Sequence, residues 1–347
     1  MTHPDPPRPD DPRAALARAD ALLAADPADP RGLILKGDAL QALGDGRSAA
    51  TFYSSALRHA GAGANLPADL IAELRRAQQA VQAQGRAFED HLTHSLAASG
   101  FRPGASSDRF ALSLDLMAGR KQLYLQEPRF YLFPGLPQVQ FQPRDTLPWL
   151  AGVEAAAADI RAELDALLAE PGLFRPYVEE RANRPNSDAS GMVANADWSA
   201  LFLWKDGVEQ PDIARRCPRT LEALGAVPLC RVPGRTPSIL FSRLTPGARI
   251  PPHHGLINTR LICHLPLIVP PGSVFRVGND VREWKEGQVW AFDDTIEHEA
   301  RNDSGQDRTI LIFDVWKPEL TAEERDLVAA MFQAIDGYGA AGPAWGV

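Results

Sequence analysis

No stretch of this 347-residue chain approaches the about 20 consecutive apolar residues that a helix needs to cross a bilayer. Residues 1–12 are rich in proline and aspartate and hold no apolar core, so they read as a flexible leader and not as a signal peptide. Cysteine is scarce: Cys217, Cys230 and Cys263 are an odd number without CxxC spacing. That excludes a disulfide framework and a zinc knuckle and fits reduced thiols in the cytoplasm. Basic residues are outnumbered 36 to 44, and the formal charge of −8 speaks against a nucleic-acid or anionic-membrane partner. What remains, 45% hydrophobic and 23% charged residues, is the balance of a globular protein long enough for one large domain or two ordinary ones.

The first ninety residues are rich in Ala and Leu at helical spacing. Ala15, Leu16 and Ala19 return 34 positions later as Ala49, Ala50 and Tyr53, and Leu22–Leu23 as Ala56–Leu57. Between them Asp26-Pro27-Ala28-Asp29-Pro30 stops one helix and starts the next, Leu33, Gly37 and Leu40 share a face, and Gly44-Asp45-Gly46 turns the chain again. The period resembles a tetratricopeptide repeat, one full unit between half-units, with a further helix over Ala68 to Ser95 as a cap. So short an array cannot form a long solenoid, and it is expected to pack against the rest of the chain or a protein partner. An ordinary helical bundle is the other reading.

Residues 100–148 turn to aromatics and prolines and read as an extended connector leading to an edge strand. Ala151 to Leu168 reads as one helix, and Ala182 to Asp197 as a long polar loop. Beyond Trp198 the hydrophobic period becomes two. Leu201–Trp204, Ser238–Phe241, Leu261–Val269, Val274–Val277, Val289–Phe292 and Thr309–Trp316 are short branched and aromatic runs between turns, the pattern of an antiparallel sandwich or barrel. Helix resumes after Pro318, with Thr321 to Glu324 as a capping box.

Four of the eight histidines, His253, His254, His264 and His298, fall within this strand-rich half. Two imidazoles on adjacent strands make a metal site with open positions. The carboxylate that often completes such a site stands two residues after the first histidine, but that position is Gly255. Asp293, Asp294, Glu297 and Glu299 surround the second histidine and could support it or bind directly; a polar surface is an equally good reading of the composition alone.

Phe241-Ser242-Arg243-Leu244-Thr245-Pro246-Gly247, Pro252-His253-His254-Gly255 through His264-Leu265, Arg282-Glu283-Trp284-Lys285-Glu286-Gly287, Phe292-Asp293-Asp294 through His298-Glu299, and Asp314 through Leu320 stand in this order. Together they resemble the aspartyl/asparaginyl β-hydroxylase family over most of Tyr131 to Leu320. The resemblance implies a double-stranded β-helix (jelly roll) that uses Fe(II), O2 and 2-oxoglutarate and releases succinate and CO2. By position it implies His253 and His298 as metal ligands without a carboxylate, which suits Gly255. It leaves open whether His254 replaces or assists His253. It further implies Arg308 as the clamp on the far carboxylate of 2-oxoglutarate, helped by Ser242, with His264 and Trp198 lining the cosubstrate pocket. Asp294 stands near the metal-bound water, and Ile262 replaces a basic residue that the family can place there. Arg260, on the face of His264, is expected to meet an acidic substrate group.

The expected layout is therefore an α+β chain in two parts. A leader (1–12) precedes a tetratricopeptide-like helical region (13–98), a connector (99–150) and a jelly-roll dioxygenase domain with flanking helices (151–347). The expected reaction is hydroxylation of an aspartyl or asparaginyl β-carbon in a peptide or protein. A small-molecule or acyl-chain substrate, and a non-catalytic sensor or scaffold working through the helices, are the alternatives.

Overall fold

The computed structural model describes residues 11–61, 66–179 and 191–338. The chain divides into two compact units, Met1–Lys121 and Gln122–Val347. In the first, helices α1 (Pro12–Ala25), α2 (Pro30–Ala42), α3 (Gly46–Ala60), α4 (Ala68–Ala98) and α5 (Asp108–Met117) follow in order. Asp11, Asp29 and Asp45 cap the first three by accepting backbone N–H bonds, which satisfies donors that a helix start otherwise leaves open. Ala15 and Ala19 on α1, and their counterparts Ala49 and Tyr53 on α3, are all buried. Gly37 is there for closeness: a Cβ at that position would lie 2.4 Å from the Tyr53 ring. The Tyr53 hydroxyl donates to Asp38 at 2.6 Å, and Arg76 of α4 binds the same carboxylate, so α2, α3 and α4 share one polar tie beside their apolar contact.

The connector is less extended than its prolines suggest. It contains α5, capped by Ser107, and a short 3-10 turn at Arg144–Thr146. The helix expected over 151–168 is two: α6 (Leu150–Ala155) and α7 (Ala157–Leu168) meet at Ala156, whose backbone (φ −87°, ψ 0°) bends the axis. Val153 and Ile160, on either side of the bend, are both buried in the same core.

The second unit adds strands β1 (Arg175–Pro176), β2 (Trp198–Lys205) and β3 (Val208–Glu209), then helices α8 (Pro211–Ala214) and α9 (Pro218–Leu224). Strands β4 (Ile239–Leu244), β5 (Arg249–His253), β6 (Arg260–Ile268), β7 (Ser273–Val277), β8 (Asp280–Glu283), β9 (Trp290–Phe292), β10 (His298–Asn302) and β11 (Arg308–Trp316) follow, and α10 (Ala322–Asp336) closes it. One sheet runs β1-β2-β4-β11-β6-β9, with β3 on β2, and the other β5-β10-β7-β8. All pairs are antiparallel. From β4 to β11 successive strands alternate between the two sheets except at the β7–β8 hairpin, which stays in the smaller one, and this is the jelly-roll winding.

The outer face of the large sheet (Leu201, Leu203, Phe241, Leu265, Phe313) packs under α6, α7 and α9. Its inner face meets the small sheet in a second core, where Leu244 and Ile310 join Ile250, Phe275 and Ala300. The runs expected as strands are strands, with boundaries moved by a few residues. Five others escaped the pattern: β1 and β3 are two residues long, and β5, β8 and β10 lack the apolar alternation. β5 contains Pro251 and Pro252, tolerable because it is the outer strand of its sheet. β10 reads His-Glu-Ala-Arg-Asn, and β8 is largely exposed. Backbone pairing, not hydrophobicity, makes these strands. The capping box at Thr321 and Glu324 is present. Of the polar loop, 182–190 lies outside the described residues.

Candidate active site between the sheets

His253 ends β5 and His298 opens β10, and the two residues are direct antiparallel partners. Their rings stand 4.1 Å apart between centroids. Each ring is oriented by its own backbone: His253 Nδ1 donates to the Pro251 carbonyl at 2.8 Å, and His298 Nδ1 to the Ile296 carbonyl at 3.1 Å. A carbonyl only accepts, so the proton sits on Nδ1 and Nε2 keeps its lone pair. Burial lowers the pKa of both rings, so they are neutral, the form that ligates. His254 does not join them; its Nε2 faces Glu127 at 3.9 Å.

Across the space between the two sheets, the chamber, lie residues of the large sheet. Arg308, the first residue of β11, is 1% exposed, and its Nε and Nη1 have no hydrogen-bond partner. Its guanidinium carbon stands 4.8 Å from the Trp284 ring centroid, and burial pushes its pKa down to about 9. Trp284 Nε1 donates to His264 Nδ1 at 3.4 Å, and His264 packs against Phe275 and Phe292, which also touch His298. His264 is held neutral by burial and by the charge of Arg308. Ser242 accepts from Trp198 Nε1 at 3.2 Å, and the Trp198 ring lies 6.3 Å from that of His253. Ile262 forms part of the apolar wall with Trp198, Trp290 and Ile312.

Arg260 does not offer a free charge to a substrate in the way expected of it. It bonds Asp294 at 3.3 Å and Asp314 at 3.2 Å, all three side chains being buried. Burial works to lower the Arg260 pKa, and the two carboxylates more than offset it. Burial pushes Asp294 up to about 6 against the pull of Arg260. Asp294 Oδ1 has no hydrogen-bond partner. Asp293, its neighbour in sequence, is fully engaged: Lys317 Nζ at 2.6 Å, Gln126 Nε2 at 2.7 Å and Thr295 at its other oxygen. The adjacent acids thus divide into one that anchors the chain and one that keeps an unbonded oxygen among the described residues.

Residues 154–318 match the family described as aspartyl/asparaginyl beta-hydroxylase. Those residues make up most of the jelly-roll unit, which is similar to that family. The mouse aspartyl/asparaginyl beta-hydroxylase is 38% identical over 164 residues, covering 46% of this chain and 20% of that protein. The ornithine lipid ester-linked acyl 2-hydroxylase of Rhizobium tropici is 34% identical over 176 residues, covering 50% of this chain and 59% of that protein. The chain therefore spans about a fifth of the first relative and under two thirds of the second. Among solved structures, a Cupin 2 conserved barrel protein from Salinispora arenicola is 11% identical with a TM-score of 0.24, covering 40% of this chain and 87% of that one. The jelly-roll assignment rests on the strand order described above.

Among the described residues no set of three His, Cys or carboxylate side chains converges as a metal site. His253 and His298 nonetheless offer two neutral nitrogens fixed from behind, donors that fit a divalent iron. Gly255 is more than an empty ligand position. A Cβ built there would lie 2.1 to 2.6 Å from the Asp294 carboxylate atoms, so that carboxylate fills the space a side chain at 255 would need. The buried Nε and Nη1 of Arg308, unpaired among the described residues, leave charged donors that suit a carboxylate end of a dicarboxylate.

Adding a carboxylate at Gly255 is therefore expected to harm the site. Gly255→Asp puts a second acid against Asp294 and overpacks a filled space, with an expected loss of about 1–3 kcal/mol in stability by urea denaturation and lower Mn(II) affinity by calorimetry. Unchanged stability with tighter metal binding would contradict this steric account.

Sequence reasoning passed over two residues here. Asp314 appears only as part of a motif, yet it holds Arg260 from behind; its alternation with Ile310 and Ile312 on β11 could have placed it facing inward. Tyr177 stacks on Trp198 with centroids 4.2 Å apart, and nothing in its local sequence announces it.

Proposed function

We propose that this protein is an Fe(II)- and 2-oxoglutarate-dependent dioxygenase that hydroxylates the β-carbon of an aspartyl or asparaginyl residue in a peptide or protein. The observation that carries the reading is the coexistence of a neutral, backbone-oriented histidine pair with a buried unpaired arginine across one chamber. His253 and His298 would hold the iron, and Arg308 with Ser242 the distal carboxylate of 2-oxoglutarate. When bound, iron, 2-oxoglutarate and O2 supply the oxidising power that replaces C–H by C–OH, with succinate and CO2 released.

The chain's own contribution is placement and exclusion of water. Nδ1 bonds to Pro251 and Ile296 prevent the ligand rings from turning. Phe275, Phe292 and Trp284 wall the space between Arg308 and the histidines with apolar surface, which strengthens any charge contact made inside. Arg260 and Asp314 fix Asp294, whose remaining oxygen would be free to hold a proton beside the bound groups.

A second reading concerns the substrate alone. The Rhizobium relative is named for an acyl 2-hydroxylase, and this chain covers a larger share of it than of the mouse relative. An acyl chain is therefore the alternative substrate. The helices α1 to α4 fit a tetratricopeptide-like array through their buried 34-residue spacing, and we assign them a protein-binding role on that basis.

The test is succinate formation from 2-oxoglutarate by anaerobically purified, Fe(II)-loaded protein exposed to O2. It is followed by mass spectrometry of blocked aspartyl and asparaginyl peptides and of hydroxylatable lipids. A gain of one oxygen on peptide supports the main reading, and on lipid the second. Neither succinate nor 2-oxoglutarate binding would leave the scaffold alternative in place of both.

A further inference from the structure

Tyr177 is the last residue paired along the outer edge of the large sheet: its N–H donates to the Trp198 carbonyl at 2.9 Å, directly after β1. This register brings its ring against Trp198. It stacks on Trp198 (4.2 Å, 22° between planes) and lies parallel to Phe202 at 6.2 Å, so three aromatic rings form a continuous wall. Trp198 in turn touches both the Ser242 hydroxyl and the neighbourhood of His253. The wall therefore begins beside the candidate metal ligands and ends at Tyr177.

The phenol end differs from an ordinary structural tyrosine. Tyr177 is half-buried: its ring is packed, while its hydroxyl has no hydrogen bond to any described residue and is left accessible to a ligand. Burial raises its pKa, and among the charges acting on it Arg260 pulls it back while Asp294 and Asp314 push it further up. The same three charges hold one another on the floor of the chamber. Around neutral pH the hydroxyl is thus a protonated donor, close enough to Arg260, Asp294 and Asp314 to sense their charges and without an acceptor among the described residues.

We infer that Tyr177 is a substrate-binding residue: its ring closes the aromatic wall and its hydroxyl donates to a carbonyl or carboxylate oxygen of the residue being hydroxylated. This rests on the dioxygenase reading above and deepens it. Arg260, expected from the sequence to meet the substrate, has its charge answered by two buried carboxylates, whereas Tyr177 has a donor to give. The substrate class that fits is one with an acceptor oxygen close to the reacting carbon, as in an aspartyl or asparaginyl side chain; a plain acyl methylene far from any carbonyl does not fit.

The full chain, with its five tyrosines, is labelled with 3-fluorotyrosine and loaded with Zn(II) and 2-oxoglutarate. The resonance absent from Tyr177→Phe identifies Tyr177. Blocked peptides with one aspartate or asparagine are then titrated in. The Tyr177 signal is expected to shift saturably with every peptide that the Fe(II) enzyme hydroxylates. In parallel, Tyr177→Phe is expected to raise the peptide KM roughly tenfold, the loss of one hydrogen bond, while the 2-oxoglutarate Kd stays unchanged because the stack is kept. Tyr177→Ala, which also removes the stack, is expected to weaken both. A hydroxylated peptide that leaves the Tyr177 signal in place, or a Phe variant with wild-type KM, overturns the inference. Succinate formation without hydroxylation of any peptide overturns the peptide reading itself and takes the inference with it, an outcome visible in the wild type before any variant is made.

Discussion

Arg308→Met is expected to weaken 2-oxoglutarate binding by about two to three orders of magnitude while making the ligand-free protein more stable. The two effects have opposite signs for one physical reason. In the free protein the Arg308 guanidinium is 1% exposed with Nε and Nη1 unpartnered among the described residues, so the Trp284 face compensates its burial only in part. Replacing a poorly compensated buried charge by a packed apolar side chain of similar length is worth about 1–4 kcal/mol of stability. Once a dicarboxylate is bound, the same guanidinium makes charge-assisted bonds, and losing them in a site walled by Trp284 costs about 3–4 kcal/mol. Calorimetry of 2-oxoglutarate with Mn(II) in place of Fe(II) measures the first effect, and urea denaturation of the metal-free protein measures the second. A purely structural Arg308 predicts the reverse: lower stability and unchanged binding.

His298→Ala is expected to remove metal binding and turnover below detection, a drop of at least about a thousandfold, since loss of supporting contacts alone commonly costs ten- to a hundredfold. With only His253 left, the site has one protein nitrogen. His253→Ala should behave alike, because the two residues are register partners with rings 4.1 Å apart. His254→Ala is the informative control. Its ring nitrogen faces Glu127, so the variant should retain Mn(II) affinity and 2-oxoglutarate-dependent succinate formation. Mn(II) titration monitored by electron paramagnetic resonance distinguishes the three. Loss of affinity in His254→Ala with retention in His253→Ala would reassign the ligand.

Much of this site was legible from the chain. The clustering of four histidines in the strand-rich half, the glycine two places after the first, and the arginine ten residues after His298 all stand in the sequence. Period-two runs such as Thr309–Trp316 marked most strands because their two faces meet different cores. Where that contrast was missing, as in Arg249–His253 and His298–Asn302, the strands were not visible, although they carry the two histidines. The break at Ala156 was equally silent, since alanine favours helix on either side of it.

What the sequence by itself determined is which groups are present and in what order: the histidines, Ser242, Arg308, the paired acids, and alternation strong enough to demand an antiparallel sandwich. Only the tertiary structure decided how those groups divide their labour. His253 and not His254 turns to His298, Asp293 is used up by Lys317 while Asp294 keeps an unbonded oxygen among the described residues, and Arg260 is held between Asp294 and Asp314. Tyr177, distant in sequence from every motif, completes the wall beside Trp198. The reason is physical: side-chain chemistry is local to a residue, whereas burial and pairing depend on which strands become neighbours, and strands distant in sequence become neighbours only when the two sheets close on each other.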